Sequence, residues 1–173
     1  MLNNHIYKRF RALDFPRGAV GLALGSDNAT YFCTPVDAEI IGWVGVDGIH
    51  FCFIPSISSD IVFAVSPMPC GEHYVEPIAS GFQDFLSLVL FCRDASILEQ
   101  ICWMDENCFC ETLKSAEENE CSDTDIALNT LRSEFGVDVQ LNAYQYVKSL
   151  QADFDYASIP FSDEYYELLG IAR

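Results

Sequence analysis

Few residues in this chain have the type and spacing to do chemistry. His50 and Cys52 stand two apart in the run Ile49-His50-Phe51-Cys52-Phe53-Ile54. Side chains two apart share a face of a strand, so an imidazole and a thiol meet there as a Cys-His nucleophile requires. No motif surrounds the pair, and the expected reading is a hydrogen-bonded strand histidine beside a buried thiol. A carboxylate pair in a cleft is the other enzymatic arrangement open to so acidic a chain. Cys108 and Cys110 are the one close cysteine pair, without a second pair or a nearby histidine, so no metal site is expected. The spacing Gly42, Gly45, Gly48 lacks the lysine and the following helix N-terminus of a phosphate loop. These glycines are expected to allow twist and close backbone approach in a hairpin.

Two further groups suit recognition rather than catalysis. Glu117, Glu118, Glu120, Asp123 and Asp125 miss the calcium-loop pattern. They read as a solvated connector running into a helix N-terminus, or as a surface that steers a basic protein. Tyr165 and Tyr166 are adjacent, so both cannot face one core stripe of a helix, and one is expected to be exposed or at an interface. These seven are the candidate partner-binding residues. No catalytic residue, metal ligand or cofactor is assigned.

Composition narrows the classes further. The chain has 173 residues, 26 acidic against 9 basic, for a net charge of −17. Nonspecific binding to a phosphate backbone needs cations that release counterions, so no nucleic-acid partner is expected. Half of the residues are hydrophobic and 20% charged, which excludes a disordered acidic tail. The N-terminus has no apolar run of signal-peptide type. The longest apolar stretch, Phe85 to Cys92, is far short of the roughly 20 residues of a membrane span. A soluble cytoplasmic protein is expected. Cys33, Cys52, Cys92 and Cys102 lie in apolar runs and read as small buried hydrophobes. Asn28-Ala29-Thr30 matches a glycosylation acceptor and reads here as a polar turn. Lys8, Arg9, Arg11 and Arg17 outnumber Asp14 in residues 1–17, so this basic start either folds back on acidic surface or forms a mobile arm.

The elements that must position these residues change character along the chain. Val20, Leu22 and Leu24 alternate as in a strand, Gly25 to Asn28 is a turn cluster, and residues 30–33 are rich in strand formers. The runs 39–46 and 49–54 flank Asp47-Gly48, which tolerates the positive φ of a tight hairpin turn. Residues 61–65 form a further strand, and 73–76 return as an edge strand. After Ser80 the period becomes helical. Ser80 with Gln83, and Ser96 with Glu99, read as capping boxes. Phe82, Phe85, Leu86, Val89 and Cys92 fall on one face. Asp105 caps a short helix, residues 114–125 connect, and the next helix stops at Gly136. Asn142 caps another, and an apolar tail from Phe154 to Leu169 docks on the body or on a partner. Trp43 and Trp103 read as core or boundary anchors. Strands first and helices afterwards predict an α+β fold: a mostly antiparallel sheet from the N-terminal half, helices packed on one face, and a helical C-terminal part. One domain spans 1–173, with a basic segment 1–17, a core 18–113 and a helical extension 114–173.

The hairpin Ile40–Phe53 with Trp43, Gly45 and Asp47-Gly48, the strand Ile61–Val65, and Val75-Glu76-Pro77-Ile78-Ala79-Ser80 leading into the helix Phe82–Leu90 together resemble the SUKH superfamily. That group includes bacterial immunity proteins and homologues of the yeast glucan-synthesis regulator. The resemblance covers roughly residues 18–92. Members usually open with a helix, which the pattern of residues 1–17 does not mark. The resemblance implies a non-enzymatic protein-binding domain, since immunity members bind toxin domains, many of them nucleases. It supplies no catalytic residues. A small-ligand binder or enzyme using the His50/Cys52 face, and a structural homo-oligomer built through the aromatic tail, are the alternatives.

Overall fold

Asp47 and Gly48 take φ of 53° and 70°, the left-handed pair that matches the twist of a two-residue hairpin. The Ile49 N–H donates to the Val46 carbonyl at 3.1 Å and the Val44 N–H to the Ile49 carbonyl at 2.9 Å. This turn joins β1 (Glu39–Trp43) to β2 (His50–Ile54), with Trp43 opposite His50. The computed structural model describes residues 5–25, 30–118, 121–137, 139 and 142–173. Strands β3 (Ser58–Val65) and β4 (Val75–Ala79) continue the meander, giving an antiparallel sheet in the order β1-β2-β3-β4. The α+β architecture expected from the pattern is present. β3 starts three residues earlier than its apolar core suggests, and β4 runs two to three residues later than 73–76.

Seven α-helices lie among the described residues: α1 (His5–Ala12), α2 (Phe82–Cys92), α3 (Ala95–Gln100), α4 (Glu106–Glu118), α5 (Ser122–Phe135), α6 (Ala143–Ala152) and α7 (Asp163–Leu169). None is long and apolar enough to cross a membrane. α2 is the central one. Its expected face of Phe82, Phe85, Leu86, Val89 and Cys92 is buried, and so are Ser87, Leu88 and Leu90. A helix buried on nearly all sides needs neighbours on all sides. It packs between the inner sheet face, carrying Phe51 and Phe53, and apolar residues of α1, α3, α5 and α6. The opposite sheet face carries Cys52, Ile54, Phe63 and Val65. Cys33, Ile159, Phe154, Phe161 and Tyr165 cover it, and the Val36 N–H donates to the Pro160 carbonyl at 2.9 Å, joining the two covering segments. The apolar tail thus docks on the body.

Several local expectations are corrected. Residues 18–24 are not a strand. Residues 17–20 form a 3₁₀ turn closed by Gly21 at φ 68°, and Ala23 alone bridges to Trp43. Its alternating glycines and alanines offer little surface for a sheet to bury. Residues 31–34 form a turn, with the Thr34 N–H on the Tyr31 carbonyl at 2.8 Å. Ser80 does not cap α2: Gly81 holds that position, and the Ser80 hydroxyl donates instead to Asp84 at 2.8 Å. Asp94, not Ser96, caps α3, by accepting from the Ser96 N–H at 2.8 Å. Asp105 does cap α4, at 2.8 Å to the Cys108 N–H. That helix runs on to Glu118, so most of the expected connector 114–125 is helical. Gly136 ends α5 at φ 58° as expected. Asn142 precedes α6 without a side-chain capping bond. Ser26 to Ala29, with the acceptor Asn28, lie outside the described residues.

The basic start is no mobile arm. α1 buries Tyr7 and Phe10, whose rings meet Phe82 edge-on at 5.2 Å each. Arg17 fixes the end of this helix. One guanidinium nitrogen donates to the carbonyls of Phe10 at 2.6 Å, Arg11 at 3.2 Å and Leu13 at 2.8 Å. The same group lies 4.5 Å from the Phe10 ring and 4.9 Å from that of Phe15. A cation on the C-terminal carbonyls of a helix is favoured by charge and by hydrogen bonding. Arg17→Ala is expected to cost about 3 kcal/mol, read as a lower urea midpoint at unchanged slope. Arg17→Lys recovers less than half of that, because an ammonium lacks the planar fork. Full recovery by lysine would show that charge alone matters.

Candidate functional site

The His50/Cys52 pair resolves first. Both are wholly buried, on the face closed by the tail. His50 Nδ1 lies 2.8 Å from the Gly48 carbonyl, which can only accept, so Nδ1 carries the proton. Nε2 is then the acceptor facing the Thr34 hydroxyl at 3.4 Å. Burial pushes the imidazole below its usual range and the Cys52 thiol well above its own. A neutral, doubly satisfied histidine beside a protonated thiol is a structural pair. Trp43 covers it, 4.5 Å from the His50 ring. Burial also raises the thiols of Cys33, to about 11, and Cys102, to about 12. Only exposed Cys121 at the start of α5 is lowered, by its hydrogen bond with Thr124.

The candidate recognition residues fall on two sides of the sheet. Glu117 and Glu118 are exposed in the last turn of α4, and Asp123 and Asp125 are exposed in the first turn of α5. Asp125 pairs with Arg93 at 3.4 Å. Glu120 lies outside the described residues. α5 belongs to the inner layer, whereas Tyr165 packs on the outer one. Tyr165 stacks on Phe161 at 3.8 Å and meets Tyr74 edge-on at 5.8 Å, and Tyr166 sits edge-on to Tyr165 at 5.4 Å. Both tyrosines are half-buried. The acids and the tyrosines are therefore not one surface.

A third place was not found from the sequence. At one end of the sheet, where the hairpin turn, the β3–β4 loop, α3 and α6 converge, two clefts of about 610 and 650 Å³ share Cys70 and Trp103. Glu99 faces the first and Glu76 the second, each only 7% exposed. Glu76 accepts the Tyr156 hydroxyl at 2.5 Å, and Tyr156 stacks on His73 at 3.6 Å. Glu99 is hydrogen-bonded by Ser66. Burial raises both carboxyls above their usual range. The Tyr156 bond, His73 and Lys148 draw Glu76 back, while Glu76 and Asp47 push Glu99 further up. Lys148 donates to the Cys102 carbonyl at 2.8 Å beside them. Such carboxyls hold a proton more tightly than free ones, and a nearby cation favours their charged form. Trp103, expected as an anchor, is 44% exposed at the shared lip. The sequence signal was present: Glu76 and Glu99 are lone acids inside the apolar runs 75–79 and 95–101. Among the described residues no three histidine, cysteine or acidic side chains converge closely enough to hold a metal ion.

In comparisons with known proteins, no family model, no curated protein and no solved structure matches the chain.

A carboxyl whose pKa is raised on folding binds its proton more tightly in the native state. Native stability therefore falls as pH rises from the unfolded value of 4.5 through the folded one. Glu99→Gln keeps an acceptor for Ser66 and removes the buried charge. It is expected to raise Tm by a few degrees near neutral pH and to change little below pH 4.5, where the native carboxyl is already protonated. Thermal melts at the two pH values check this. Equal effects at both would place the cause in packing.

Proposed function

We propose that the chain is a non-enzymatic protein-binding module of SUKH-like type, with an immunity-like role of neutralising or regulating a basic protein partner. The observation that carries the reading is the uncompensated charge of the folded surface. Of the nine basic residues, Arg17 is buried on backbone carbonyls and Lys148 is committed to the Cys102 carbonyl. Arg9, Arg93 and Arg173 are spent on Glu134, Asp125 and Asp163. What remains cannot balance the exposed acids. Glu117 and Glu118 stand out because they close α4 with no basic residue in its last turn. A helix C-terminus disfavours carboxylates by about 0.3–1 kcal/mol each. A partner's cation placed there relieves that cost. Asp123, in the first turn of α5, extends the patch at a favoured position.

The fold supports the reading as well. The hairpin, the third strand and the helix at 82–92 that carry the resemblance are all formed, and α1 supplies an opening helix before them. The site favours binding over chemistry at the one pair that resembled a nucleophile, since the Cys52 thiol is held protonated.

The test begins with capture on the immobilised chain from native lysate at low and high salt, followed by identification of a stoichiometric basic protein. Association kinetics with that protein are then measured for Glu117→Gln/Glu118→Gln. The association rate is expected to fall roughly tenfold at low salt, with a flatter salt dependence, while Tm stays level or rises. Unchanged kinetics would remove these acids from the binding surface. Absence of a salt-released basic partner would count against the function itself.

A further inference from the structure

We infer that the cleft between the hairpin turn and α3 is a binding site for an organic cation, an alkylguanidinium or alkylammonium group. Its walls are apolar and accessible: Val46 is 59% exposed, Met68 66% and Trp103 44%. Three acids line it, Asp47 on the turn, Asp94 at the start of α3 and the buried Glu99 on α3. Among the described residues no lysine or arginine lines it. Apolar walls, the buried Glu99 carboxyl and the more open Asp47 and Asp94 match a cation that carries a hydrocarbon stem, and the indole of Trp103 adds an aromatic surface for the charged head.

The alternatives fit less well. The three acids do not converge on a point, which a calcium or magnesium ion would need. The volume, about 610 Å³, lies in the range of small-molecule pockets and far above that of an ion. An anion would meet Asp47, Asp94 and Glu99 and, among the described residues, no cation. Asp94 already serves the Ser96 N–H and Glu99 the Ser66 hydroxyl, which fixes both carboxylates in place before any ligand arrives. Preorganised acceptors bind a guanidinium without paying ordering entropy on arrival. Asp47 on the same lining, and Glu76 in the neighbouring cleft, make negative charge on Glu99 less favourable, and a cation in the cleft offsets that. The site stands apart from Glu117 and Glu118, so it does not depend on the surface of the proposed function.

The same chemistry reaches the cleft as a free small molecule or as an arginine side chain on a polypeptide. The test titrates the full chain with butylguanidinium, with its neutral isostere butylurea, and with a capped glycine–arginine–glycine peptide, reading the Trp103 indole resonance and calorimetric heat. Saturable binding of either guanidinium probe is expected. The affinity should drop about tenfold or more in Glu99→Gln and remain unchanged in Glu117→Gln/Glu118→Gln. Tighter binding of the free cation assigns a small-molecule source, and tighter binding of the peptide assigns a side chain. Trp103→Ala, an exposed position that leaves the core intact, should weaken the guanidinium probes as well. Equal response to butylguanidinium and butylurea, or a drop confined to the Glu117/Glu118 variant, would overturn the site and leave the protein-binding reading standing.

Discussion

The structure depends on burying strand β2 on both faces. All five residues from His50 to Ile54 are buried, with no solvent side. Such a strand cannot sit in a sheet with one wet face. Phe51 and Phe53 therefore require the helical layer of α1 and α2, and Cys52 and Ile54 require a second layer, which the 31–38 segment and the C-terminal tail supply. Burying each phenylalanine contributes roughly 2–3 kcal/mol. A slip of one residue would exchange two aromatic rings for an imidazole and a thiol across the sheet, so the register is strongly specified. The Asp47-Gly48 turn sets that register locally, and the same turn presents the Gly48 carbonyl that satisfies His50.

Closing the outer face also creates the groove. The tail reaches the sheet end through Tyr156, whose hydroxyl bonds Glu76, while α6 ties Lys148 to the Cys102 carbonyl. Where the inner helices and the outer cover meet, their edges do not seal, and the gap holds Glu76 and Glu99. Among the described residues Glu76 has the Tyr156 hydroxyl as donor and Glu99 that of Ser66, which is less than a charged group needs to offset lost hydration. Two sparsely satisfied carboxyls at one sheet end are thus a cost of the two-sided design. Burial makes both groups hold a proton more tightly than a free carboxyl does.

The hairpin, the third strand, the helical period after Ser80 and the stop at Gly136 were legible because short-range chemistry decides them: positive φ at Asp-Gly, alternation, and a glycine past a helix end. Residues 18–24 misled for the same reason. Their alternation is genuine, and Val20 and Leu22 are wholly buried, but they enter the core from a 3₁₀ turn held by Arg17. Serine capping boxes failed where a neighbouring glycine or aspartate took the position. The groove was not legible because Glu76 and Glu99 are 23 positions apart and meet only after the sheet and α3 pack. The tail's docking was half legible. Its apolar content required a partner surface, but nothing local could show that the surface was the back of the chain's own sheet.

The two sets of acids differ in a way that separates their physical effects. Glu117, Glu118 and Asp123 stand in water, where charge is screened beyond about 10 Å at ordinary salt. Such groups act on encounter, raising the rate at which a cationic body arrives, and hold little once it has docked. Glu99 is buried beside apolar walls, where screening is weak and desolvation strong. A group of that kind contributes little to encounter and much to residence, because a departing cation leaves an uncompensated buried carboxylate behind. Salt should therefore act on the first set far more than on the second. Proton concentration should do the reverse, since only buried Glu76 and Glu99 are pushed toward neutrality by their surroundings. The acids of the chain thus fall into two electrostatic classes, distinguished by burial rather than by charge.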